Sequence, residues 1–255
     1  MQFPPSPIHA LLMGASSDIG LALARRLAAM PNVRSLTLCA RRISASADIA
    51  ALLAAPSAAT LHIHDADITD EESLGRLAAE VSLYIPSLHL VINTVGLLHD
   101  DVLAPEKTLS QLTMPGMLRS FAVNACGPVL LAKALMPLLR RSNPAIFASL
   151  SARVGSIGDN RLGGWYSYRA AKAAQNQLLR TLSIEMQRIN PNSIVLALHP
   201  GTTDTRLSRP FQGNVPAGKL FTPDFAAESL LQVIAARSPV DSGGFYAWDG
   251  QTIPW

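Results

Sequence analysis

A tyrosine and a lysine four positions apart, Tyr168 and Lys172, stand in Trp165-Tyr166-Ser167-Tyr168-Arg169-Ala170-Ala171-Lys172, at the head of a segment with helical period. On a helix that spacing puts both side chains on one face. An ammonium beside a phenol favours the phenolate and draws down a pKa of about 10, so Tyr168 reads as a proton donor to a carbonyl oxygen near neutral pH. Upstream, Ala148-Ser149-Leu150-Ser151 closes an apolar run. A hydroxyl at that carboxyl end either holds a substrate oxygen or caps a turn. Ser151 is the first choice and Ser149 the alternative, since alternation along a strand end puts the two on the same side.

A second constellation lies early in the chain, where Gly14-Ala15-Ser16-Ser17-Asp18-Ile19-Gly20 joins an apolar run to an amphipathic one. Such a strand-turn-helix junction seats a phosphate: Gly14 allows the tight turn, Gly20 allows close helix packing, and the helix start offers free N–H groups. Plain turn chemistry places the same glycines, so the pattern alone leaves nucleotide binding open. The next apolar run ends Leu38-Cys39-Ala40-Arg41-Arg42, at the place where an acid would bind the ribose 2′-hydroxyl of NAD. An arginine there accommodates a 2′-phosphate, which favours NADP(H) over NAD(H) with Arg41 first and Arg42 second. The competing reading is a pair of arginines solvating a loop.

These residues need a scaffold, and the chain alternates short apolar runs with longer helical segments, the sequence form of a parallel sheet covered by helices. Strands are expected near 10–13, 35–39, 60–63, 88–93, 145–150, 194–198 and 245–248, continuous rather than alternating because both faces are buried. Helices are expected at 19–29, 70–83, 115–139, 166–188 and 223–236, with a weaker one at 43–54. This is an α/β fold, a doubly wound seven-stranded parallel sheet in a single Rossmann-type domain over 1–255. The Gly/Pro/Ser-rich stretch within 206–220 reads as a surface lid.

Composition narrows the classes. Hydrophobic residues make up 49% and charged residues 15% of 255, which excludes a disordered chain. The formal charge of +3 comes from scattered arginines, so no nucleic-acid stripe is expected. No uncharged apolar run approaches the roughly 18 residues of a membrane span, and Ser120 to Ala132 is interrupted by Asn124, Gly127 and Pro128. The start, Met-Gln-Phe-Pro-Pro, lacks a basic leader region. With two cysteines, Cys39 and Cys126, in apolar contexts, reduced buried thiols and a cytoplasmic setting are expected. His62 and His64 beside Asp65 and Asp67 lack further ligands for zinc, so no metal is expected. No Gly-x-Ser-x-Gly elbow supports a hydrolase.

Taken together, the first-turn glycines, Asp67-Ile68, Asn93-Thr94-Val95-Gly96, Asn124, Ser151, Tyr168 with Lys172, and Pro200-Gly201 with Thr205 resemble the short-chain dehydrogenase/reductase family from end to end. The segments 151–157, 159–172 and 248–255 further resemble its C-factor-like subgroup, related to sniffer-type carbonyl reductases. The resemblance implies an NADPH-dependent oxidoreductase reducing a carbonyl compound or oxidising the matching alcohol. The alternative it carries is a C-factor-like dinucleotide-binding regulator with little turnover.

By resemblance Tyr168 protonates the carbonyl, Lys172 holds the nicotinamide ribose, Ser151 orients the carbonyl, and Asn124 anchors a water relayed to Lys172. Cofactor contacts are implied for Gly14, Ser16, Ser17, Ile19, Gly20, Arg41, Arg42, Asp67, Ile68, Asn93, Gly96, Pro200, Gly201, Thr202 and Thr205. The partners implied are a small carbonyl or alcohol and a second copy of the chain, in a homodimer or homotetramer, with neither nucleic acid nor membrane. The chain departs from the family pattern at Asp18, where a glycine is usual, and its carboxylate weakens pyrophosphate binding unless it turns away. The gap from Ser151 to Tyr168 is also longer than usual.

Overall fold

The computed structural model describes residues 7–255, so the start read for a leader, Met1 to Pro5, lies outside it. Seven parallel strands form one sheet in the order β3-β2-β1-β4-β5-β6-β7. In chain order they are β1 (Ile8–Met13), β2 (Val33–Ala40), β3 (Thr60–Asp65), β4 (Leu90–Asn93), β5 (Ala145–Leu150), β6 (Ser193–His199) and β7 (Gly244–Ala247). The chain winds outward from β1 to β3, then returns to place β4 on the other side of β1. That reversal opens a crevice at the carboxyl ends of β1 and β4, where ligands of open α/β sheets bind.

Helices α1 (Asp18–Ala28), α2 (Ala47–Ala54), α3 (Glu71–Ser82), α4 (Met114–Phe121), α5 (Gly127–Leu139), α6 (Tyr166–Ile189) and α7 (Pro223–Ala235) cover the sheet. One core lies under α1, α2 and α7 and is built from residues such as Leu12, Leu23, Leu36, Leu196 and Leu231. The other lies under α3, α5 and α6, around Leu11, Val91, Leu135, Phe147, Leu179 and Phe245. Every residue of β4 and β5 is buried, as continuous apolar runs require. β3 departs from that expectation: it is the sheet edge and only half-buried, and its histidines find polar partners. His64 pairs with Glu80 at 2.7 Å and His62 stacks on Tyr84 with ring centroids 3.9 Å apart.

The helix expected over 115–139 forms as α4 and α5 joined by a π-turn, Ala122–Cys126, in which Gly127 donates to the Ala122 carbonyl. Gly127 and Pro128, expected to interrupt the run, are absorbed because the ladder is already widened where Pro128 lacks its N–H. By length and mean hydropathy (1.6) the joined helix Met114–Leu139 is apolar enough to cross a membrane, and half of that apolar window is buried in this fold. The weaker helix shortens to α2 after a 3-10 turn at Ile43–Ala45. Of the two cysteines expected to be buried, Cys39 is, whereas Cys126 is exposed on the π-turn, and both are free thiols.

Candidate active site

The first turn is built as its glycines demand. Gly14 has φ +88°, and a Cβ there would stand 2.5 Å from Thr94 Oγ1. At Gly20 a Cβ would fall 2.1 Å from the Gly14 carbonyl oxygen, so only glycine lets α1 approach the strand end this closely. Ser17 caps α1, donating to the Gly14 carbonyl at 2.8 Å and accepting from the Gly20 N–H at 3.1 Å. Thr94 lies 3.0 Å from the Gly14 carbonyl oxygen and so ties the turn after β4 to the turn after β1. Ile19 is buried in the core beneath α1. The Asp18 carboxylate turns to the lid, accepting from the Arg206 backbone N–H at 2.9 Å, while the Arg206 guanidinium donates to the Ser16 carbonyl at 2.9 Å.

At the end of β2, Arg41 and Arg42 are exposed. Asp65, in register with Ala40 beside Arg41, is spent on Ser44, accepting from its hydroxyl and N–H at 2.6 and 3.0 Å. Asp67 accepts from the Thr69 N–H and hydroxyl at 2.9 and 2.7 Å. Ile68 is buried against the start of α5, where a Cβ on Gly127 would touch it at 3.0 Å. Both are therefore engaged within the turn after β3.

Around Tyr168 the polar groups are densely paired. Lys172 Nζ donates to the Leu150 carbonyl and to Gln175 Oε1, each at 2.9 Å, and stands 5.8 Å from the Tyr168 ring centroid. Burial pushes the Tyr168 phenol up and draws Lys172 down to about 7. The lowering of the phenol expected from its lysine neighbour is thus outweighed by burial in this state, since desolvation disfavours both charged forms. A Cβ at Gly96 would lie 3.5 Å from Asn124 Oδ1 and 3.8 Å from Lys172 Nζ, so these three residues converge on one spot. Asn124, at the centre of the π-turn, is clamped by both backbone groups of Leu97: it accepts from the N–H at 2.9 Å and donates to the carbonyl at 2.7 Å.

The two serines lie on the same side of β5, as alternation implies, and that side faces α6. Ser149 accepts from Asn93 at 2.9 Å and from Gln175 at 2.8 Å. Ser151 donates to Asn176 Oδ1 at 2.6 Å and is 4% exposed. The structure brings the Tyr–Lys pair, Gly96 and Asn124 together, and in it each serine hydroxyl is bonded to a residue of α6, Ser149 to Gln175 and Ser151 to Asn176. His199, at the end of β6, has a buried Nδ1 without a partner, and burial pushes its pKa down to about 4.

Sequence reasoning missed several supporting residues. Glu106 accepts from the Ser167 N–H at 3.1 Å and from the Ser167 hydroxyl, capping α6 from a distant loop. Trp165, where a capping residue would normally stand, has φ 52° and follows two glycines of positive φ, Gly163 and Gly164. Its indole meets the Tyr168 ring edge-on at 6.3 Å and Phe211 of the lid at 5.1 Å. The stretch expected to form a lid holds a 3-10 helix, Arg209–Asn214, and a bridge between Thr203 and Phe221 joins the residues that flank it. Gly201 turns with φ +75° against the Phe221 ring, Pro200 lies beside it half-buried, and Thr202 and Thr205 are engaged locally, Thr202 accepting from the Phe221 N–H at 2.8 Å and Thr205 meeting Ser208 at 3.2 Å.

The short chain dehydrogenase family model matches residues 8–215. A 1-hydroxy-2-glutathionyl-2-methyl-3-butene dehydrogenase from Rhodococcus sp. (strain AD45) is 33% identical over 74% of this chain and 78% of its own. The C-signal protein of Myxococcus xanthus is 34% identical over 58% of this chain and 83% of its own. Among solved structures, an NADPH-bound carbonyl reductase from chicken fatty liver superposes with a TM-score of 0.83 at 26% identity, over 99% of this chain and 100% of that one. The chain belongs to the short-chain dehydrogenase family and has its Rossmann-type α/β fold.

A nicotinamide dinucleotide suits the residues present at three points. The capped start of α1 opens at the sheet's switch point, two exposed arginines stand beyond β2, and Lys172 has two acceptors for three ammonium protons. The one discordant group, Asp18, is answered by Arg206.

Proposed function

We propose that this protein is an NADPH-dependent reductase of a small carbonyl compound, working equally as an alcohol dehydrogenase in reverse. The observation that carries the reading is the convergence of Tyr168, Lys172, Asn124 and Gly96 at the carboxyl end of the sheet, next to the first-turn cradle. When bound, the dinucleotide supplies the hydride. Tyr168 gives its hydroxyl proton to the carbonyl oxygen as that oxygen becomes an alkoxide, and being almost wholly buried it does so away from bulk water. Lys172, held by Leu150 and Gln175, keeps one proton free for the ribose hydroxyls and, when charged, favours ionisation of Tyr168. Asn124 holds the turn after β4 in place through Leu97 and anchors the water that reprotonates Lys172.

Gly14, Ser16, Ser17, Ile19 and Gly20 form the phosphate seat, with Arg41 and Arg42 on the 2′-phosphate. Asp67, Ile68, Asn93 and Gly96 border the adenosine half. Pro200, Gly201, Thr202 and Thr205 border the nicotinamide, and 206–220 forms the lid. Ser151 serves this centre through Asn176, fixing the end of β5 against α6. A reducing, cytoplasmic setting fits the two free cysteines. Self-association fits the exposed Met114 and Leu118 on α4 and Ile184 on α6. A second reading, a dinucleotide-binding regulator with little turnover, draws on the likeness to the C-signal protein and on the serines' orientation.

A panel of aldehydes, ketones and quinones, monitored by loss of reduced nicotinamide, separates the two. Turnover of at least one compound, lost on Tyr168→Phe with NADPH binding intact, supports the reductase. Tight binding with no turnover of any compound supports the regulator.

A further inference from the structure

The first turn and the segment after β6 are joined by two hydrogen bonds, both donated by Arg206, at the proposed phosphate seat. The Asp18 carboxylate accepts the Arg206 N–H at 2.9 Å, and Arg206 Nη2 donates to the Ser16 carbonyl at 2.9 Å, with Arg206 Nε 3.7 Å from Asp18. The guanidinium therefore lies over the turn from Gly14 to Gly20, and most of its five N–H donors stay free, the side chain being 70% exposed. An exposed ion pair on its own contributes little. This one sits where a pyrophosphate would approach the α1 N-terminus, and there an uncompensated carboxylate repels it.

We propose that Arg206 is a dinucleotide-positioning residue: it offsets the Asp18 charge, offers its free N–H groups to the pyrophosphate, and couples phosphate binding to the seating of the lid. The coupling has a path. Arg206 lies three residues before the 3-10 helix Arg209–Asn214, whose Phe211 packs on Trp165 at 5.1 Å, and Trp165 meets Tyr168 at 6.3 Å. Phosphate held by Arg206 thus keeps Phe211 and Trp165 closed over the reacting tyrosine. The inference rests on the dinucleotide reading above, and its test separates the two.

Titrate NADPH by fluorescence into the wild type, Arg206→Ala, Asp18→Asn and the double variant, following chymotryptic cleavage of the lid in parallel. Arg206→Ala is expected to weaken NADPH binding by about tenfold or more and to leave the lid cleavable at saturating NADPH. In the Asp18→Asn background the same substitution is expected to cost clearly less than in the wild type, because the charge it offsets is gone and only the direct pyrophosphate contact is lost. Arg206→Lys, which keeps the charge, controls for folding and is expected to stay within about threefold of the wild type. Equal losses in both backgrounds, or no loss in either, overturn the inference while the dinucleotide reading stands. A wild type that binds neither NADPH nor NADH overturns both.

Discussion

Lys172 makes the stability of the folded protein depend on pH, in a direction fixed by its burial. Its folded pKa is drawn down to about 7 by desolvation, below its ordinary value near 10.4. Below pH 7 both folded and unfolded chains carry the proton and the burial penalty is complete. Between pH 7 and about 10 the unfolded chain holds more protons, so this residue's contribution to stability rises with pH across that window. Lys172→Met is expected to be more stable than the wild type at pH 7, with the gap closing near pH 9 to 10. Urea melts of both proteins at the two ends of that window check it, and a constant gap would contradict it. Ser151→Ala leaves the Asn176 amide oxygen without its donor and is expected to cost about 1–3 kcal/mol of stability. Its effect on turnover should stay below about tenfold, whereas a serine donating directly to the carbonyl oxygen would cost on the order of 100-fold. That the two serines share a side was legible from alternation. Which side was not, because β5 is buried on both faces and an apolar run without an amphipathic phase hides its orientation.

The element that sets Tyr168 in place is α6, and its start is held by unusual means. Trp165 lacks a capping side chain and is strained at φ 52°, and the buried carboxylate of Glu106 satisfies the buried N–H of Ser167 in its stead. Glu106→Ala is expected to lower stability by about 1–2 kcal/mol, as loss of a helix cap does, and to reduce turnover more than NADPH affinity. Thermal melts and a KM-against-kcat comparison check it, and Glu106→Gln, which retains one acceptor, should recover part of both. The helix itself was legible from its period, but its cap was not, because Glu106 lies 61 positions upstream. Period also carried the reading of 115–139 through the π-turn, since one wide turn shifts the apolar face too little to break the pattern. The turn after β1 was legible because its glycines answer a local steric demand, whereas the Asp18 partner lies 188 positions away.

At the scale of the whole molecule, the strand order places the first turn, the exposed arginines beyond β2 and the Tyr–Lys pair along one edge of the sheet. The alternation of apolar runs and helical segments made that architecture legible, and the seven strands form close to where they were expected. The stretch 206–220 was legible as a surface segment expected to form a lid, but the contacts that seat it were not, because Phe211 on Trp165 and Arg206 on Asp18 join segments remote in sequence. Under the proposed function the same edge sets cofactor choice: Asp65 is spent on Ser44, and the two exposed arginines beyond β2 would meet a 2′-phosphate. Arg41→Ala is accordingly expected to weaken NADPH about tenfold and leave NADH nearly unchanged, read by isothermal titration. The most direct test of the account is a fluorescence titration of the wild-type protein with NADPH and with NADH. The account expects saturable binding of both, NADPH tighter by about tenfold or more. Equal affinities, tighter NADH, or no binding of either would contradict it.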